Sequence, residues 1–227
     1  MKAPLAIAKG SVAALFVDFQ EEHRQDARFL AEGYDAVLGN VALLQRAARA
    51  AGAPLFHSAY AVDLGSAGPR PFHPVAPDGK SVFSDKDDPL TAICPEVGPK
   101  GDEPVFVKQE ASAFAAAGLE PALRAAAVEW LLVAGVWTEA CVHATVRDAV
   151  DRGFRVLLVK DACASGTAAM HRTAILNLAN RLYGGAVTDT AGACRLLAGD
   201  TVAVWRVAGA VPFRYTFETA SVLYDEL

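Results

Sequence analysis

The chain alternates between two hydrophobic rhythms, and this alternation limits what it can fold into. Short apolar runs with strand character are separated by stretches with helical periodicity. Residues 11–18 (SVAALFVD) read as a buried strand, and residues 27–51 as a helix-rich segment stopped by Gly52. Residues 54–60 (PLFHSAY), 105–108 (VFVK), 129–135 (EWLLVAG), 155–161 (RVLLVKD) and 185–188 read as further strands. Helical patterns over 121–128, 138–152 and 171–183 lie between or after them. Such alternation builds βαβ units, hence a mainly parallel, Rossmann-like sheet with helices on both faces in a three-layer α/β/α sandwich. In these sheets ligands bind at the carboxyl ends of the strands, so chemistry is expected just after a strand.

Two segments break the rhythm. Residues 64–104 are rich in Gly, Pro and Asp and form a long excursion of the kind that usually carries function. Residues 200–227 follow the expected last helix. The division drawn from the sequence is a domain over residues 1–199 and a C-terminal extension over 200–227, available to pack on a neighbouring subunit.

Length and charge set bounds on function. The 227 residues suit one α/β domain, and a net charge of −5 without a Lys/Arg cluster argues against nucleic acid and anionic membranes as partners. No apolar run approaches the roughly 20 residues of a membrane span, and the first ten residues lack a secretory pattern; the expected address is the cytoplasm. The four cysteines show neither C-x-x-C pairing nor neighbouring histidine clusters, so zinc spacing is absent.

Three reactive side chains fall at strand ends: Asp18, Lys108 and Cys141. Thr138 is a plausible helix cap, which would put the Cys141 sulfur in a first helical turn. There the free N–H groups and a nearby Lys108 would favour thiolate. Asp18 could take the thiol proton and return it to a leaving amine. Taken singly, each has an ordinary reading: a small buried cysteine, a lysine emerging into water, an aspartate capping a turn. A nucleotide- or flavin-binding alternative would need a Gly-rich loop after the first strand, where DFQEEHRQD stands instead.

The order of segments resembles that of the isochorismatase-like cysteine hydrolases, the superfamily that includes nicotinamidases, N-carbamoylsarcosine amidases and ureide hydrolases. ALFVDFQ (14–20), VFVKQEASAF (105–114), GVWTEACV (135–142) and DACAS (161–165), with His171 opening the next helix, match that pattern over about residues 10–197. The resemblance implies an Asp18–Lys108–Cys141 triad acting on the C–N bond of a small amide or ureide through a thioester. It also implies a cis peptide between Val136 and Trp137, and an oxyanion hole of the Trp137 and Cys141 N–H groups. It implies no cofactor, and a homo-oligomer, either dimer or tetramer. Gln20, Phe114 and Trp137 are the expected substrate-binding residues, with His23, Arg70 and Glu110 as lesser candidates. The Asp-x-His metal motif of nicotinamidases has no counterpart in HSAYAVDLGS (57–66), so no metal is expected. The alternative is a family member that has lost activity and serves as a binding protein.

Overall fold

A computed structural model describes residues 1–66, 70–207, 209 and 211–227. Residues 67–69 of the excursion and 208 and 210 of the C-terminal segment lie outside the described residues.

Among the described residues the strands are β1 (Lys2–Leu5), β2 (Val12–Val17), β3 (Leu55–Tyr60), β4 (Val105–Lys108), β5 (Trp130–Val136), β6 (Arg155–Ala164), β7 (Ala186–Thr188) and β8 (Val202–Trp205). They form one sheet in the order β1-β8-β7-β6-β5-β2-β3-β4. Pairing from β7 through β6, β5, β2 and β3 to β4 is parallel, whereas β8 runs antiparallel to both β7 and β1. The helices are α1 (Glu22–Gln25), α2 (Tyr34–Ala50), α3 (Leu119–Ala125), α4 (His143–Asp151), α5 (Ala168–Ala179), α6 (Thr190–Ala198) and α7 (Ala220–Glu226). Among the described residues, no helix is long and apolar enough to cross a membrane.

Strand β2 shows why both faces must be covered. All six of its residues are buried. Val12, Ala14 and Phe16 enter the core shared with α2 and α6, while Ala13, Leu15 and Val17 enter the core shared with α3, α4 and α5. The two-residue period of the strand deals successive side chains to opposite layers, which is why its sequence reads as a continuous apolar run.

Gly52 follows α2 at φ +70°, the left-handed position that ends a helix. The expected helix over 27–51 starts later, at Tyr34, because Gly33 precedes it at φ +70° and residues 26–33 serve as a link.

Among its described residues the excursion contributes no strand to the sheet, yet it is tied down. The Phe19 carbonyl accepts from Cys94 N at 2.8 Å, and Ala92 O accepts from Glu21 N at 2.9 Å.

The C-terminal segment contributes to the sheet. Strand β8, which lies within the 200–227 extension, pairs with β1 and β7. The sequence reading overlooked β1, and without that partner TVAVWRV looked superfluous. Helix α7 packs back on its own chain, where Arg172 Nη1 donates to Ser221 Oγ at 2.9 Å and Lys160 Nζ to Tyr224 O at 2.8 Å.

Candidate active site

The connections from β2 move outward through β3 to β4, while those from β5 move the other way through β6 to β7. The order reverses between the adjacent strands β2 and β5, and such a switch point opens a crevice at the carboxyl ends. Asp18 follows β2 and Cys141 lies five residues beyond β5, so both stand at this crevice.

Asp18 is buried and sits at φ +54°, a left-handed conformation that aspartate tolerates better than most side chains. Its two oxygens have separate partners. Lys108 Nζ donates to Oδ2 at 2.7 Å, and Ser58 Oγ donates to Oδ1 at 2.7 Å. The Asp18 N–H is also held, by Ser58 O at 3.1 Å. Lys108 is buried, gives a further hydrogen bond to Glu110 O at 3.0 Å, and stands 4.5 Å from the centre of the Tyr60 ring. Ser58 was not foreseen. A serine inside an apolar strand carries no signal until the register of β2 against β3 is known.

Cys141 lies in a π-helical turn, Thr138–Val142, that runs into α4. Single π turns of this kind recur at functional sites. The Val136–Trp137 peptide that precedes the turn is cis. Thr138 does not cap the turn; the capping position is Trp137, which makes no side-chain cap. Instead Thr138 Oγ1 donates to Ala164 O at 2.9 Å and meets His171 Nδ1 at 2.8 Å. His171 Nε2 in turn meets Tyr224 Oη at 3.0 Å. With the Thr138 proton committed to a carbonyl, Nδ1 is the donor and Nε2 accepts from Tyr224. Burial pulls the His171 pKa down to about 4, so the ring is neutral and the order of donors is fixed.

The thiol titrates in the opposite direction from the sequence expectation. Burial pushes the Cys141 pKa well above the ordinary thiol range, and the Asp18 carboxylate adds to the rise; Lys108 opposes it without prevailing. Desolvation and the Asp18 charge outweigh the lysine. The raised pKa keeps the proton on the Cys141 sulfur at rest.

Asp18, Cys141, Val136 and Trp137 share one cavity of about 280 Å³ with Tyr60, Glu22, His23, Phe29, Phe83 and Arg70. Trp137 Nε1 donates to His23 Nδ1 at 3.2 Å. Burial lowers the His23 pKa, consistent with a neutral ring that accepts at Nδ1. Glu22 receives the Ser84 N–H at 3.0 Å and the Ser84 hydroxyl. The Trp137 N–H donates to no atom among the described residues. A larger hollow, about 540 Å³, lies between Met1, Trp205 and Phe213, away from these groups. Among the described residues, Glu21, Cys94 and Glu96 could converge on a metal ion, but Arg24 already bridges both carboxylates there.

Two expected substrate contacts are otherwise engaged. Gln20 touches the cavity, but its amide is spent on backbone: Nε2 donates to Tyr60 O and Thr91 O, and Oε1 accepts from Tyr60 N. It clamps the excursion to the end of β3. Phe114 is absent from the cavity wall and packs in the core, 5.9 Å from the Phe154 ring and beneath the Arg152 guanidinium. Next to it, Ala113 N donates to Thr145 Oγ1 at 2.9 Å, fastening the segment after Lys108 to α4. The residues missed were Tyr60, Glu22, Phe29 and Phe83, none of which bears a motif.

Comparison with known proteins supplies the context. The isochorismatase domain model matches residues 12–192. Maleamate amidohydrolase of Pseudomonas putida KT2440 is 36% identical over 113 residues, covering 49% of this chain and 53% of that protein. N-carbamoylsarcosine amidase of Arthrobacter sp. is 28% identical over 152 residues, covering 66% of this chain and 58% of that protein. The chain thus spans little more than half the length of either relative. A solved structure of an isochorismatase-family protein from Chromobacterium violaceum ATCC 12472 superposes with a TM-score of 0.72 at 30% identity, over 87% of this chain and 99% of that one.

Proposed function

The chain belongs to the isochorismatase family, and from that premise we propose that it is an amidohydrolase cleaving the C–N bond of a small amide or ureide, with Cys141 as nucleophile. The observation that carries this reading is that Cys141 and Asp18 line one cavity of small-molecule size, with Asp18 paired behind it to the buried Lys108. Nucleophile, base, fixed cation and backbone donors are the parts needed for acyl transfer. The names of both relatives, one an amidohydrolase and the other an amidase, agree with it.

The proposed steps use these groups in turn. As the substrate carbonyl approaches, Asp18 takes the thiol proton and sulfur bonds to the carbonyl carbon. The Trp137 and Cys141 N–H groups receive the oxygen as it becomes negative. The C–N bond breaks, Asp18 hands its proton to the departing nitrogen, and an acyl-thioester on Cys141 remains. Asp18, again a carboxylate, then takes a proton from water. The hydroxide adds to the thioester, and the thiolate leaves with that proton, releasing the acid. Lys108 keeps Asp18 oriented through both halves and limits the cost of the developing thiolate. A chain that merely bound ligands would have no use for a base and cation locked beside a cavity-lining thiol.

A hydroxylamine capture assay tests the reading. An acyl-thioester partitions to a hydroxamate when hydroxylamine replaces water, so wild type supplied with an accepted amide should form hydroxamate and Cys141→Ala should form none. Equal hydroxamate formation by the two proteins would remove Cys141 from the mechanism.

A further inference from the structure

The excursion brings one more charge to the same cavity. Arg70 lines it together with Cys141, and Arg70 Nη2 donates to Tyr60 Oη at 2.9 Å. The Tyr60 hydroxyl spends its own proton on Gln109 O at 2.7 Å, so it can only accept from the guanidinium. Every other charge facing this cavity has a partner. Asp18 has Lys108, and Glu22 takes both the N–H and the hydroxyl of Ser84. Arg70 has no carboxylate within 4.0 Å among the described residues.

We propose that Arg70 is the specificity-determining anchor for a carboxylate on the substrate, so that the amide or ureide taken by this site is that of a short acid. The inference rests on the amidohydrolase reading above and sharpens it. A guanidinium offers five N–H donors in a planar fork that fits a carboxylate with two parallel bonds. Tyr60 uses only one of those donors, which steadies the fork and leaves the rest to a ligand. The same tyrosine fixes the span. Lys108 Nζ stands 4.5 Å from its ring centre and Arg70 is bonded to its hydroxyl, so one aromatic side chain separates the reacting centre from the cation. An acid whose carboxylate lies a few bonds from its amide carbon matches that span; a long-chain or bulky acid does not. Between the two ends the walls are the Phe29, Phe83 and Trp137 rings, which suit an apolar or planar spacer.

The test measures turnover and binding separately. The probes are succinamic acid and N-carbamoylglycine, each against its neutral methyl ester, with wild type, Arg70→Met and Arg70→Lys. Loss of a charge-assisted bond predicts that the preference for acid over ester in kcat/KM falls about 30-fold in Arg70→Met, mainly through KM. Arg70→Lys, a point charge without the fork, should fall in between. Calorimetry on Cys141→Ala, with and without Arg70→Met, should show the same loss in affinity for succinamic acid. Wild type hydrolysing esters as readily as acids, or a preference unmoved in Arg70→Met, overturns the Arg70 assignment and leaves the amidohydrolase reading standing. Arg70-dependent acid binding without turnover of any probe overturns the amidohydrolase reading for these substrates and retains the anion site.

Discussion

The Lys108 ammonium stands 2.7 Å from Asp18 Oδ2, with both side chains almost wholly shielded from water. A buried pair of this kind is held less by its own attraction than by the cost of parting it, since either charge alone would be stranded in a low-dielectric interior. Lys108→Met is therefore expected to destabilise the fold by about 3–5 kcal/mol and to abolish turnover. Urea unfolding checks the first and an ammonia assay the second. The double variant Lys108→Met, Asp18→Leu should recover much of the stability and none of the activity.

The raised Cys141 pKa fixes the sign of a pH experiment. Burial and Asp18 disfavour the thiolate, so the thiolate fraction of the free enzyme should keep growing as pH rises through the ordinary cysteine range, near 9.0. The rate of iodoacetamide labelling at Cys141, followed by peptide mass spectrometry, should climb about tenfold per pH unit without levelling off below about pH 9. A plateau reached at or below neutrality would mean a preformed thiolate–lysine pair instead.

Gly135 illustrates how tightly the catalytic turn is seated. A Cβ there would lie 2.6 Å from Val17 Cβ, 2.7 Å from Val17 O and 2.9 Å from Val142 Cγ2. Two of these atoms belong to the strand that delivers Asp18 and the third to the turn that carries Cys141, so no flexible chain end can yield. Gly135→Ala should destabilise the protein by about 3 kcal/mol, near the upper end for overpacking, with a matching fall in the urea midpoint.

Tyr224, on the C-terminal helix, reaches the nucleophile's turn through His171 and Thr138. Removing its hydroxyl leaves His171 Nε2 without a donor and loosens the ring that holds Thr138. Tyr224→Phe should cost about 1 kcal/mol of stability. It should also lower kcat severalfold with KM little changed, because the residue acts on the turn through His171 and does not line the cavity. A change confined to KM would place the tyrosine at the substrate instead.

The sheet was readable because each buried strand writes its burial directly into sequence. VAALFV (12–17) and WLLVAGV (130–136) leave no charged or polar side chain to face water, and only a doubly covered parallel sheet removes both faces. The strand ends marked Asp18, Lys108 and Cys141 for the same reason, as reactive groups at the points where apolar runs stop. What escaped depends on contacts between distant segments. Ser58 matters because β3 lies in register beside β2, and Gln20 is engaged because the excursion folds back over it. Thr138 resembled a cap, but its hydroxyl turned toward a carbonyl and a histidine from later in the chain. Phe114 resembled a pocket wall because it follows Lys108 closely, yet its ring packs into the core beside Phe154. Strand β8 appeared surplus because its partner β1 is four residues at the other end of the chain.

Ammonia release from a panel of small amides and ureides, measured for wild type beside Cys141→Ala, tests the central proposal most directly. The panel would hold nicotinamide, carbamoyl amino acids, biuret and short aliphatic amides with and without a carboxylate. Release by wild type from at least one of them, abolished in Cys141→Ala while the variant remains folded, is the expected result. Release that persists in Cys141→Ala would contradict it, since the C–N bond would then be broken without the sulfur.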